Sequence, residues 1–160
     1  MVPARNQDDL GMVDVLVKSG HLSSADGEAT KLAFVSSGGS VIDWLVKQNK
    51  VNPADIALAR AQYYNVPFVK IADQPVSPVA LSLVDQSIAK KLQIMPFEYS
   101  AEKRELSVAM ANPIDLSAIE FLEKKTGARI KPFAAVPSEV REAVETRYSQ
   151  SLSTEVTAAL

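Results

Sequence analysis

A chain that repeats itself at a constant spacing is committed to folding as two like units, and this one does so within its first third. Val13 to Asp26 (VDVLVKSGHLSSAD) returns as Ile42 to Asp55 (IDWLVKQNKVNPAD). Asp14, Leu16, Val17, Lys18, Ala25 and Asp26 recur as Asp43, Leu45, Val46, Lys47, Ala54 and Asp55, each 29 residues on. Internal similarity at a fixed period marks a duplicated supersecondary unit, whose copies bury surface that neither could bury alone. Such a pair suits a binding or docking module better than a catalytic centre.

Apolar spacing places the helices. Leu10, Val13, Leu16 and Val17 recur at helical intervals, and Gly20 is a natural stop. Ser23 or Ser24 can cap a second helix to about Ser36, ahead of the break Ser36-Ser37-Gly38-Gly39. The second copy predicts a helix over 40–48 carrying Val41, Trp44 and Leu45. A fourth is capped by Asn52, with Pro53 at its first position, and runs to Tyr64. Residues 1–9 are polar and expected to be flexible. The duplicated helical subdomain is expected over 10–71, ending in a short strand at 67–71, with 72–78 as a proline-bearing linker.

Strand and helix signals then alternate. A helix is expected over 79–91, strands over 93–99, 105–110 and 129–134, and a helix between the last two strands that closes at Gly127. Leu106, Val108 and Met110 alternate with Glu105, Ser107 and Ala109, the pattern of a half-buried strand. Ser138 opens a final helix with Val140, Val144 and Tyr148 facing inward. The expected fold class is α+β: a duplicated unit of four helices, then a small α/β sandwich over 79–148 with a three-stranded sheet covered by helices on one face. Residues 149–160, rich in Ser, Thr and Ala, read as a linker.

Composition narrows the chemistry. The 17 Lys and Arg against 19 Asp and Glu supply no basic stripe for nucleic acid. There is no cysteine, and His21, the only histidine, has no second ligand to complete a metal site; it is expected as a solvent-facing turn residue. No apolar run approaches the roughly 18–20 residues that cross a bilayer, and the first residues hold no signal-peptide core. The chain is therefore expected in the cytoplasm without inserting in a membrane. Asp115 or Ser117 suits the cap of the helix that follows the stiffening Pro113. Glu139, Glu142, Lys124 and Lys125 suit helix ends, where the dipole favours their charges. No catalytic constellation emerges, and no G-x-x-x-x-G-K-[ST] phosphate loop occurs, so the chain is not expected to be an enzyme.

The repeat is followed by Ala61-Gln62-Tyr63-Tyr64-Asn65-Val66-Pro67-Phe68-Val69, by Ile88 to Phe97 (IAKKLQIMPF), by Glu105 to Asp115 (ELSVAMANPID) and by Thr126-Gly127-Ala128. In that order these segments resemble the N-terminal domain of bacterial type II secretion and type IV pilus assembly ATPases, over residues 10–148. The resemblance implies a docking and regulatory domain that couples a motor domain, absent from this chain, to an inner-membrane platform or adaptor protein. It places the chain in the cytoplasm, peripheral to that membrane. It implies ATP and Mg in the parent motor, and no cofactor in this segment.

Some members of the family bind cyclic di-GMP through two copies of a motif resembling R-L-G-x-x-L-V-x-x-G-x-I-x-x-x-x-L, followed by A-L-x-x-Q. This chain matches its apolar positions with Leu16, Val17, Gly20 and Leu22, then Leu45, Val46, Val51 and Ile56. The arginine positions hold Gly11 and Ser40, and the terminal glutamine positions hold Phe34 and Tyr63. Lys18, Lys31, Lys47 and Arg60 are alternative donors, none at a motif position. Cyclic di-GMP sensing is thus the alternative function. Trp44, which replaces Val15 of the first copy, is expected to pack between the repeats; with Tyr63 and Tyr64 it could instead form an aromatic surface for a partner.

Overall fold

Lys18 and Lys47, equivalent positions of the repeat, each end a helix in a computed structural model that describes residues 4–37 and 40–159. Side-chain surroundings are described for residues 8–33 and 40–150. The chain divides into two units at Asn65/Val66. The first holds α1 (Ala4–Lys18), α2 (Ser24–Ser37), α3 (Val41–Lys47) and α4 (Pro53–Tyr63).

The repeat reproduces itself bond for bond. Gly20 and Asn49, equivalent residues, both take positive φ, 83° and 55°. His21 N–H donates to Leu16 O at 3.0 Å, and Lys50 N–H to Leu45 O at 3.1 Å. Ser23 Oγ accepts from Asp26 N–H, as Asn52 Oδ1 accepts from Asp55 N–H. Side-chain caps of this kind satisfy helix donors that have no partner within the helix. Leu16 and Leu45, both fully buried, centre a core with Met12, Val13, Leu22, Val41, Ile42, Val51 and Ile56. Gly38 and Gly39, in the expected break, lie outside the described residues.

The first unit departs from expectation at its start. Helix α1 begins at Ala4, within the nine residues expected to be flexible. Nothing between Ala4 and Leu10 breaks a helix, and Asp8 is tied to α4 by two hydrogen bonds.

In the second unit α5 (Pro78–Leu83) and α6 (Gln86–Leu92) precede β1 (Ile94–Ser100) and β2 (Glu105–Met110). Helix α7 (Leu116–Thr126) then leads to β3 (Arg129–Ala134) and α8 (Pro137–Ala159). The sheet order is β1-β2-β3, with β1 antiparallel and β3 parallel to β2. Helices α5, α6 and α8 pack on β1, α8 also on β2, and α7 on β3.

Several expected elements change. The strand over 67–71 shrinks to one bridge, Phe68 to Ala134, because a 3-10 turn over Ile71–Asp73 takes the chain away. The 72–78 stretch is therefore not the boundary between units. It lies inside the second, where Ser77 N–H donates to Phe97 O at 2.9 Å. The helix expected over 79–91 is two, since Val84 turns extended and buries its side chain. Tyr148 Oη donates to Val84 O at 2.7 Å, satisfying a carbonyl that the broken helix releases. Strand β2 is buried on both faces, as Ser107 and Ala109 are covered along with Leu106, Val108 and Met110.

Residues 149–159, expected as a linker, continue α8. No Gly or Pro interrupts this stretch, and Thr146 and Ser149 hydroxyls bond back to the carbonyls of Glu142 and Glu145. Asp115 caps α7 through Ala118 N–H at 3.1 Å, and Gly127 ends it in the left-handed region.

Candidate functional site

The surface of the first unit is assembled where α1 meets α4. Tyr63 and Tyr64 close α4, and both phenols donate to Asp8 on α1, Oη to Oδ1 and Oη to Oδ2, each at 3.1 Å. Their rings meet edge to face, centroids 4.9 Å apart. One carboxylate thus holds two hydroxyls. Its hydrogen bond holds the Tyr63 hydroxyl above its usual range. Burial, helped by the same carboxylate, pushes Tyr64 up to about 12.

Beneath Tyr63 lies Gly11. A Cβ at that position would come within 2.3 Å of Tyr63 Cε2, so the ring occupies the place of any side chain there. Next to Asp8, burial raises the Asp9 carboxyl above its ordinary range, against a hydrogen bond from the Val41 backbone and the nearby Arg60 charge.

Trp44 is 39 % exposed and so does not pack as a core residue between the repeats. Helix α3 turns Val41, Ile42 and Leu45 inward, which leaves Asp43, Trp44 and Val46 outward. Tyr63 is exposed and Tyr64 half-buried. The ring contact joins Tyr63 to Tyr64 and, among the described residues, does not include Trp44.

The motif positions fall mainly on the apolar spine. Leu16, Leu22, Leu45, Val51 and Ile56 are buried, Val17 is half-buried against them, Gly20 makes the turn, and Val46 is exposed. Phe34 has no described side-chain surroundings. Among the alternative donors, Lys31 pairs with Asp14, whose carboxylate raises its pKa.

A second arrangement joins the copies. His21 Nδ1 lies 3.2 Å from Asp55 Oδ1, and Lys50 Nζ lies 3.7 Å from Asp26 Oδ1. His21 sits in an exposed turn as expected, with a carboxylate of the other copy as its partner. The available signal was a basic residue at one repeat position and an aspartate at another, in both copies. Asp8 was missed because nothing in the sequence joins it to residues more than fifty positions away. Among the described residues there is no cluster of three metal-ligating side chains. No helix among them is long and apolar enough to cross a membrane.

Residues 64–154, more than half of the chain, match the model of the MshEN domain. The chain belongs to the MshEN domain family. The match runs from the end of α4 through the sheet and into α8. Two type IV pilus assembly ATPases named PilB are similar to this MshEN chain. The one from Thermus thermophilus is 26 % identical over 113 residues and the one from Myxococcus xanthus 28 % over 106. These alignments cover 71 % and 66 % of this chain but only 13 % and 18 % of the relatives. In fold it is similar to the solved structure described as MshE with cdg, with TM-score 0.67 and 22 % identity over 84 % of this chain and 96 % of that one. The N-terminal domain of XpsE gives 0.60 and 20 % over 86 % and 94 %. In fold the chain is thus like the N-terminal domain of XpsE, and it spans less than a fifth of the length of the pilus ATPases it matches.

Proposed function

We propose that this chain is a non-catalytic docking and regulatory domain of a type II secretion or type IV pilus assembly ATPase. It couples the motor domain of its parent, which uses ATP and Mg, to a platform or adaptor protein on the cytoplasmic side of the inner membrane. The family and the names of the similar proteins support the machine. The outward Trp44 on α3, beside Val46 and Asp43, supports docking. A large ring left on the surface of a well-packed helical unit is what interface hot spots are made of.

The test is retention of the chain on an immobilised cytoplasmic segment of the platform protein. Wild type is retained, and Trp44→Ala weakens binding about thirtyfold, the effect of losing a hot spot of about 2 kcal/mol. No retention of wild type overturns the reading.

A nucleotide-sensing role is the alternative, favoured by the fold likeness to a structure described with cdg. Two features of the first unit weigh against it. Neither Gly11 nor Ser40 can supply the paired donors of an arginine, and the Tyr63 ring already covers Gly11. Calorimetry with cyclic di-GMP is expected to give no heat; measurable binding would favour the alternative.

A further inference from the structure

Among the described residues strand β3 has one full strand partner, β2, and on its other side only the bridge from Phe68 to Ala134, which leaves most of that side as a template for a further strand. Along such a strand, successive residues turn their N–H and C=O groups to opposite sides. Arg129 N–H donates to Arg104 O at 2.8 Å, and Ala135 N–H to Met110 O at 3.2 Å, so the odd-numbered residues face β2. Ile130, Pro132 and Ala134 therefore face outward.

Along this side every outward N–H is either bonded or missing. Ala134 N–H donates to Pro67 O at 2.8 Å, and its carbonyl accepts from Val69 N–H at 3.0 Å. Pro132 has no N–H to offer. The remaining donor, Ile130 N–H, is held by Glu123 Oε1 at 3.3 Å, reaching across from α7. A carboxylate accepting from a backbone N–H makes a charge-assisted bond, which an incoming strand would have to displace. The opposite edge follows the same logic. Pro96 of β1 pairs with Val108, the residue that also pairs with Pro132, and a bulge at Phe97 interrupts the register.

We propose that Glu123 and Pro132 form a guard on the free edge of β3, preventing a second copy of this chain from extending the sheet there. Glu123→Ala uncovers one donor, and Pro132→Thr adds another.

The experiment uses the full chain with two readouts. Amide hydrogen exchange at Ile130 accelerates about tenfold or more in Glu123→Ala, while Val108, deep in the sheet, exchanges as in wild type. Glu123→Gln keeps an acceptor oxygen and keeps the protection. In sedimentation velocity, E123A/P132T gains concentration-dependent self-association, with a new intermolecular β signal in the infrared amide band. Unchanged Ile130 exchange in Glu123→Ala overturns the guard. So does a double variant that is folded by circular dichroism and sediments as wild type does. If the double variant does not fold, exchange in the single variant decides.

Discussion

His21 in the turn of the first copy pairs with Asp55 at the start of α4 in the second, and the exchange is reciprocal. Lys50, the equivalent of His21, pairs with Asp26, the equivalent of Asp55. Two copies that trade the same contact in both directions are related by an approximate two-fold axis. The duplicated sequence has therefore become a symmetric interface inside one chain.

These contacts are partly exposed and hold little energy. A double-mutant cycle on Lys50 and Asp26 is expected to return a coupling of about 0.2–1 kcal/mol in urea unfolding, falling with added salt. A coupling above about 2 kcal/mol would show that solvent does not screen the junction.

The buried leucines carry far more. Leu16→Ala and Leu45→Ala should each destabilise the chain by about 2–5 kcal/mol, because each removes a fully buried side chain from the same core. Equivalent positions should give comparable losses. A loss below about 1 kcal/mol at either one would contradict the two-fold arrangement of the core.

Gly11 and Tyr63 should be coupled. Gly11→Ala gains about 1 kcal/mol of helix propensity but displaces the Tyr63 ring and its exposed hydrogen bond to Asp8, which offsets the gain. The single variant should lie near neutral. In a Tyr63→Ala background the same change should stabilise by about 1 kcal/mol, because the obstruction is gone. Equal effects in both backgrounds would mean that the ring yields freely.

Alkaline pH should loosen the first unit. The Tyr64 hydroxyl is raised from 10.0 to about 12 by burial and by the Asp8 carboxylate, so the folded state favours its neutral form. That contribution is intact below the unfolded value of 10.0 and is lost as pH climbs through the folded one. Urea midpoints should fall across that window, and Tyr64→Phe should flatten the fall. Tyr148, raised chiefly by burial, adds a similar slope from the second unit. A midpoint that stays level across that range would contradict both.

Local chemistry made much of the fold legible. The turns at Gly20 and Asn49, the caps at Ser23, Asn52 and Asp115, and the stop at Gly127 all depend on side chains within a few residues. Such interactions act wherever the chain goes, so pattern reveals them. The break at Val84 escaped because a tyrosine 64 positions away accepts the cost of interrupting a helix by bonding its carbonyl. Strand β2 looked half-buried because Ser107 is polar and Ala109 small, and only packing decides whether such residues are covered.

The sequence by itself determined the duplication, the turns and caps within it and the order of the three strands along the chain, since each follows from residues near in sequence. Tertiary structure decided the rest: that Trp44 faces outward, that Asp8 clasps two tyrosines over Gly11, and that Glu123 stands at a sheet edge. Those relationships join groups on different elements. Their geometry depends on how helices and strands pack, which no short-range pattern encodes.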